Sequence, residues 1–360
     1  MQREELLFNI ASFIAGVFML DYGADRFVDH TAIVAQRLGV SQTLVALLTA
    51  GAEYEELAVV IAAVLQKQSA LAIGNVMGST ISNILGAFSL GLLLHPGHVV
   101  FDRSAQVYTA LLLLVTTAFC ILACFGTLNA TAGGILVAAF VVYMLSIFVA
   151  IHKGVVTPPQ ASDSDSDSDE GMSDDEHPNP SGRQTGLPET EASPLLSRDI
   201  SRHQRRPRPL AYHVSQLIIG LAALTLSGYI LSHSASAIAE YLNLSATVIG
   251  FTVVSFATTL PEKMIALMSG ARGHSGIIVA TTAGSNIFLL TLCSGVVGLA
   301  QIPADQNNHD QVQLFEVVFT WVSSFMLFLV VLLGANRIIG AVFLVMYLVF
   351  LVLEFTIFRR

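Results

Sequence analysis

Ten times along this chain the sequence runs for about 20 mostly apolar residues, the length an α-helix needs to cross the hydrocarbon of a bilayer. A spanning backbone must satisfy its own hydrogen bonds, so each run is predicted as a helix. The first five cover roughly 6–28, 40–66, 70–94, 105–125 and 132–152, and the second five 212–239, 244–270, 275–300, 312–333 and 338–358. Between the two sets, 157–209 alternates Ser and Asp from Ser162 to Asp169, is rich in proline, and has too few large apolar residues to bury a core. It reads as a disordered loop. The expected division is a first membrane repeat at 1–152, a disordered cytosolic loop at 153–210 and a second membrane repeat at 211–360.

An odd number of spans in each half requires the second half to lie upside down relative to the first. The halves also match in sequence. Gln36-Arg37-Leu38-Gly39-Val40-Ser41 corresponds to Glu240-Tyr241-Leu242-Asn243-Leu244-Ser245 at an offset of 204, and Gly78-Ser79-Thr80-Ile81 to Gly284-Ser285-Asn286-Ile287 at 206. The first half is therefore two residues shorter between Ser41 and Glu56. The predicted fold class is an all-α integral membrane protein with ten transmembrane helices in two inverted five-helix repeats.

Charge is concentrated outside the spans. Only 12% of the chain is charged and 54% is hydrophobic, against a charged fraction of about 25% in soluble domains. Residues 153–210 hold 18 of the 43 charged residues, so the net charge of −9 identifies no external partner, and no nucleic acid is expected. Lys153 and six arginines place that loop in the cytosol and both termini outside. Two glycosylation sequons, at Asn129 and Asn243, fall on the predicted outer side. Cys120, Cys124 and Cys293 sit in apolar runs and are expected to be buried as small hydrophobes.

Against this background, carboxylates inside apolar runs need a partner. An ionised side chain at the centre of a spanning helix costs about 2.5–3.5 kcal/mol even on insertion scales, so it faces the bundle interior. Glu53, Glu55 and Glu56 interrupt the second run, and Glu262 interrupts the seventh, 206 residues after Glu56. Glu53 and Glu56 share a helical face while Glu55 points away, so one pair can converge on a cation. Acids at matching positions of two halves point to an ion pathway. Beyond them lie Gly74–Asn83 and Thr281–Phe288, small residues with the hydroxyl and amide oxygens that hard cations take as ligands. Pro261 and the glycines allow broken helices, although helix packing alone accounts for the Gly-Ser pairs. Asp21 and Asp25 are expected to pair with Arg26 or be solvated, and Glu316 and Glu354 to snorkel from helix ends. The histidines are scattered among loops without metal-ligand spacing. No zinc-protease helix, nucleophile elbow or phosphate loop is present, so neither an enzyme nor a cofactor is expected.

At these residues the chain resembles the calcium/cation antiporter superfamily and, within it, the sodium/calcium exchanger membrane-domain family. Thr258-Thr259-Leu260-Pro261-Glu262 is similar to its Gly-Thr-Ser-Leu-Pro-Glu signature. Gly74-Asn75-Val76-Met77-Gly78-Ser79 and Gly284-Ser285-Asn286-Ile287-Phe288 are similar to its Gly-Ser-Asn-Ile-Phe-Asn signature. The resemblance implies an alternating-access antiporter that moves calcium against sodium or protons. It also implies ligands at Glu56 and Glu262 as central acids, with Thr258, Thr259, Ser79, Ser285 and Asn83. Two departures stand out. Ala52, Glu53 and Glu55 replace the usual Thr, Ser and Pro, and Leu289 stands where a polar or acidic ligand is usual. Glu53 is expected to restore the oxygen and charge that Leu289 lacks. The alternative is a transport-inactive, ion-binding membrane regulator of the same fold. Finally, Glu191-Ala192-Ser193-Pro194-Leu195-Leu196 fits the acidic dileucine pattern read by adaptor complexes, which favours a vacuolar or other endomembrane over the plasma membrane.

Overall fold

The computed structural model describes residues 2–38, 53–152, 209–300 and 313–357. Within them the backbone is helical apart from short links and one isolated bridge, Val99 to Ala335. The helices are α1 (Gln2–Arg37), α2 (Tyr54–Leu65), α3 (Ser69–Leu94), α4 (Arg103–Cys124), α5 (Ala130–His152), α6 (Leu210–Leu242), α7 (Ala246–Thr258), α8 (Leu260–Ala271), α9 (Ser275–Leu299), α10 (Leu314–Leu333) and α11 (Arg337–Thr356). Eight are long and apolar enough to span a membrane, and α7 with α8, bent by 50°, makes a ninth if taken as one span. Residues 40–52 of the second predicted span, Ala52 among them, lie outside the described residues. So does the loop 153–208 with its Glu191–Leu196 motif.

Side chains fix several helix starts. Asp102, Asn129, Ser245 and Asn336 each accept a hydrogen bond from the backbone N–H three residues on, at 3.0–3.2 Å, which satisfies one orphan donor apiece. Asn243 closes α6 in the left-handed conformation at φ 52°. Capping thus accounts for both sequon asparagines. Among the described residues, eight of the ten expected spans are continuous helices and the seventh is the bent α7–α8 pair; hydropathy underestimated α1 and α6, which continue as helix through polar flanks because no proline or glycine stops them there.

Burial ranks the helices. In α3, 89% of the most apolar window is buried, and in α9 67%, against 17–44% in the other spanning helices. These two form the centre. α2, α7 and α8 pack against them, while α1 pairs with α6, α4 with α10, and α5 with the end of α9. Three π-helical turns interrupt the α-ladder, at Ser82–Ala87 in α3, Gly250–Val254 in α7 and Leu289–Cys293 in α9. Such turns loosen a helix locally and recur at functional sites. Those in α3 and α9 fall at matching positions, since Asn83 and Leu289 are 206 residues apart.

Three expectations are corrected. Glu316 and Glu354 are both buried rather than snorkelling, and Glu316 accepts a hydrogen bond from the Gln313 N–H at 2.5 Å as the acid of a capping box. Cys120 and Cys293 are buried free thiols as expected, but Cys124 is exposed. His30 and His213 lie in helices, not loops, where their Nδ1 atoms meet at 3.1 Å across the α1–α6 contact. Their 183-residue separation hid that pairing.

Candidate cation site

Two short helices position the acids. α2 and α8 both contain 12 residues and start 206 residues apart, at Tyr54 and Leu260. Before α8 the backbone departs from α geometry at Thr259 (φ −90°, ψ 16°). Pro261 then sits in the first turn, where its missing N–H costs nothing. Glu53 holds the equivalent place before α2, at φ −78° and ψ 71°, and its carboxylate makes no capping bond to the helix. Glu56 and Glu262 therefore stand in the first turns of α2 and α8, where the positive end of a helix favours negative charge.

Glu53, Glu56 and Glu262 converge, each contributing an oxygen within 4.8 Å of the others. Glu56 is fully buried, Glu53 only 6% exposed, and Glu262 partly buried. Three ionised carboxylates at this range repel one another, so cations or protons must offset their charge.

Uncommitted oxygens surround the acids. Both carboxylate oxygens of Glu56, Oε2 of Glu262 and the hydroxyls of Ser79 and Ser285 have no hydrogen-bond partner among the described residues, and neither has Oδ1 of Asn83. Buried polar atoms left unpaired in this number are rare in folded proteins unless they hold something. Thr258 lies beside Glu56 but donates its proton to the Val254 carbonyl at 3.2 Å, which leaves its lone pairs free. Asn83 reaches across to Asn286 Oδ1 at 3.5 Å. Glu55, as its helical position predicts, stays out of the trio and has Asp21 and Asp25 of α1 within electrostatic reach. Those two aspartates are exposed, while Arg26 donates to Gln216 at 3.3 Å and lies over the Tyr22 ring.

Thr259 is engaged differently. Its hydroxyl donates to the Ser255 carbonyl at 2.6 Å and accepts from the ammonium of Lys263. Lys263 Nζ also donates to Ser82 Oγ at 2.8 Å and to the Thr259 carbonyl at 3.2 Å, and it lies 4.7 Å from the centre of the Phe256 ring. Ser82 in turn contacts Tyr347 Oη at 3.0 Å. Sequence reasoning missed Lys263, and it placed Ser82 and Asn286 in the oxygen-bearing stretches without naming them as ligands. The signal for Lys263 was present, since it is a lone cation in an apolar run beside Glu262. Leu289 opens the π turn of α9, is completely buried, and belongs to a segment that packs on α2.

The carboxylate trio thus stands beside two helix breaks inside a bundle of helices long and apolar enough to cross a membrane. The chain's family follows from comparison with known proteins. The sodium/calcium exchanger protein family is matched over residues 8–149 and 212–356, which is most of the chain, and the chain belongs to that family. That family is one of cation-exchange transporters, not a class of enzymes. The chain is 24% identical to the sodium/calcium exchanger MaX1 of Methanosarcina acetivorans over 315 residues, covering 81% of this chain and 83% of that one. It is 26% identical to the inner membrane protein YrbG of Escherichia coli over 296 residues, 82% of this chain and 80% of the relative. Its fold is similar to that of the sodium-calcium exchanger NCX_Mj soaked with 10 mM Na+ and zero Ca2+, with a TM-score of 0.54 at 21% identity over 96% of this chain and 98% of that one.

Proposed function

We propose that the chain is a secondary active antiporter that exchanges calcium, or another divalent cation, for sodium or protons by alternating access. The observation that carries this reading is the convergence of Glu53, Glu56 and Glu262 within 4.8 Å in a buried position. These three would bind the ion directly, with Thr258, Ser79, Ser285 and Asn83 completing the oxygen shell that calcium requires. Thr259 would act one step removed, by holding Lys263. Two inverted halves rocking about this centre would expose it to each side in turn. Uptake of radiolabelled calcium into proteoliposomes, with sodium and pH gradients imposed independently, tests the reading and identifies the counter-ion. Absence of gradient-driven flux of any divalent cation would sink it. The regulator alternative rests on Ala52, on Leu289 and on the two-residue shortening of the first half, and the third carboxylate of Glu53 answers only the ground at Leu289.

That compensation is testable. Glu53→Ser should cut transport about tenfold or more, and Glu53→Ser with Leu289→Asp should recover part of the loss, because both changes act on one charge-bearing shell. Equal or lower flux in the double variant would mean that the positions are uncoupled.

We also assign the chain to an endomembrane through Glu191–Leu196, read by an adaptor complex on the cytosolic loop. Leu195→Ala with Leu196→Ala should then shift a tagged protein to the cell surface. An unchanged distribution under fluorescence microscopy would end that assignment.

A further inference from the structure

Lys263 sits where the reading above has no role for it. The residue is 7% exposed, and its ammonium donates to Ser82 Oγ, the Thr259 carbonyl and the Thr259 hydroxyl, with the face of Phe256 on a fourth side. Ser82 belongs to α3 and Thr259 to the break before α8, so these oxygens come from both halves of the chain. Oxygen ligands from several helices around a buried positive charge are what a bound alkali cation receives, and here the charge is covalently attached. The counterpart in the first half, 206 residues earlier, is Leu57.

Charge counting gives this placement a consequence. A symmetric pair, Glu56 and Glu262, offers two negative charges. Glu53 adds one, and Lys263, within electrostatic reach of Glu262 and Glu56, offsets one negative charge of the trio. Both additions depart from the pattern of the opposite half, where Thr259 matches Glu53 and Leu57 matches Lys263. A buried charge is tolerated only when compensated, so the two departures are expected to depend on each other.

We propose that Lys263 is a tethered monovalent cation of the transport site, holding the place of a bound monovalent ion and setting the site to offer two negative charges to one divalent ion. The proposal rests on the antiporter reading, and it requires the exchange to be electroneutral, with one divalent ion moving one way and two monovalent charges the other.

Two measurements on the full chain test it. In proteoliposomes at fixed sodium and pH gradients, radiolabelled calcium accumulation by the wild type should stay constant, within about twofold, as the membrane potential is clamped over 100 mV. An uncompensated charge would change the distribution roughly fifty-fold, and that result would overturn the proposal whether or not any variant folds. In equilibrium calcium binding to the detergent-purified protein, lithium, sodium and potassium should only compete in the wild type and in Lys263→Arg. In Lys263→Met at least one of them should raise calcium affinity tenfold or more, by filling the vacated place, and adding Glu53→Gln should remove that requirement. A Lys263→Met protein that responds to all three ions as the wild type does would overturn the proposal. Absence of any wild-type flux would instead defeat the antiporter reading, and the binding measurement would still decide the role of Lys263.

Discussion

Glu56→Gln and Glu262→Gln should each abolish calcium transport while leaving a folded, monodisperse protein. Each carboxylate sits in the first turn of its own short helix and faces the other two acids, so the amide keeps the shape and removes one charge from the shell. Losing one partner from a buried charged assembly costs about 3–5 kcal/mol. That corresponds to a loss of affinity of roughly a hundredfold or more. The same substitution should act oppositely on the ion-free protein, where three close carboxylates repel one another. In a chelator, Glu56→Gln should therefore melt at a higher temperature than the wild type, and the addition of calcium should reverse the order. Flux assays in proteoliposomes and thermal unfolding in detergent read the two effects separately. Normal flux in either variant would remove that residue from the site.

How much of this could be read from the sequence follows the range of the physics involved. Spans were legible because hydropathy is a local sum, and the acids were legible because a carboxylate in an apolar run is costly wherever the helix goes. The break before Glu262 was signalled by Pro261, and the matching start of α2 by the 206-residue offset. The pairing of Lys263 with Ser82 was not legible, because it depends on α3 and α8 meeting at one register. The same holds for His30 with His213 and for the burial of Glu354. Glu316 misled for another reason: its place near a helix end suggested snorkelling, but the capping box gives its carboxylate a backbone donor inside the protein. Thr259 shows the limit of carrying a role over by position. The residue lies at the expected place in the chain, and a neighbouring side chain decides which group its hydroxyl serves.

The centre also depends on helices approaching more closely than side chains allow, and this yields a prediction in which one chemical change has opposite signs at two positions. Gly78 lies in α3, next to Ser79 and five residues before Asn83. A Cβ there would meet Phe251 Cα at 2.6 Å and Ser255 Oγ at 2.7 Å, with the Phe251 carbonyl closer still. These are mostly backbone atoms of α7, so relief requires α3, with Ser79 and Asn83, to move away from α7. Overpacking of this kind costs about 1–3 kcal/mol and sometimes more. Gly134, in α5, has nothing within 4 Å of the same position among the described residues. Only the helix-propensity term remains there, which favours Ala over Gly by about 0.8–1.0 kcal/mol. Gly78→Ala should therefore lower the melting temperature by several degrees and reduce calcium flux at least tenfold, whereas Gly134→Ala should leave flux intact and raise the melting temperature slightly. If Gly78→Ala melted and transported like the wild type, close contact between α3 and α7 would not be what holds the oxygen shell together.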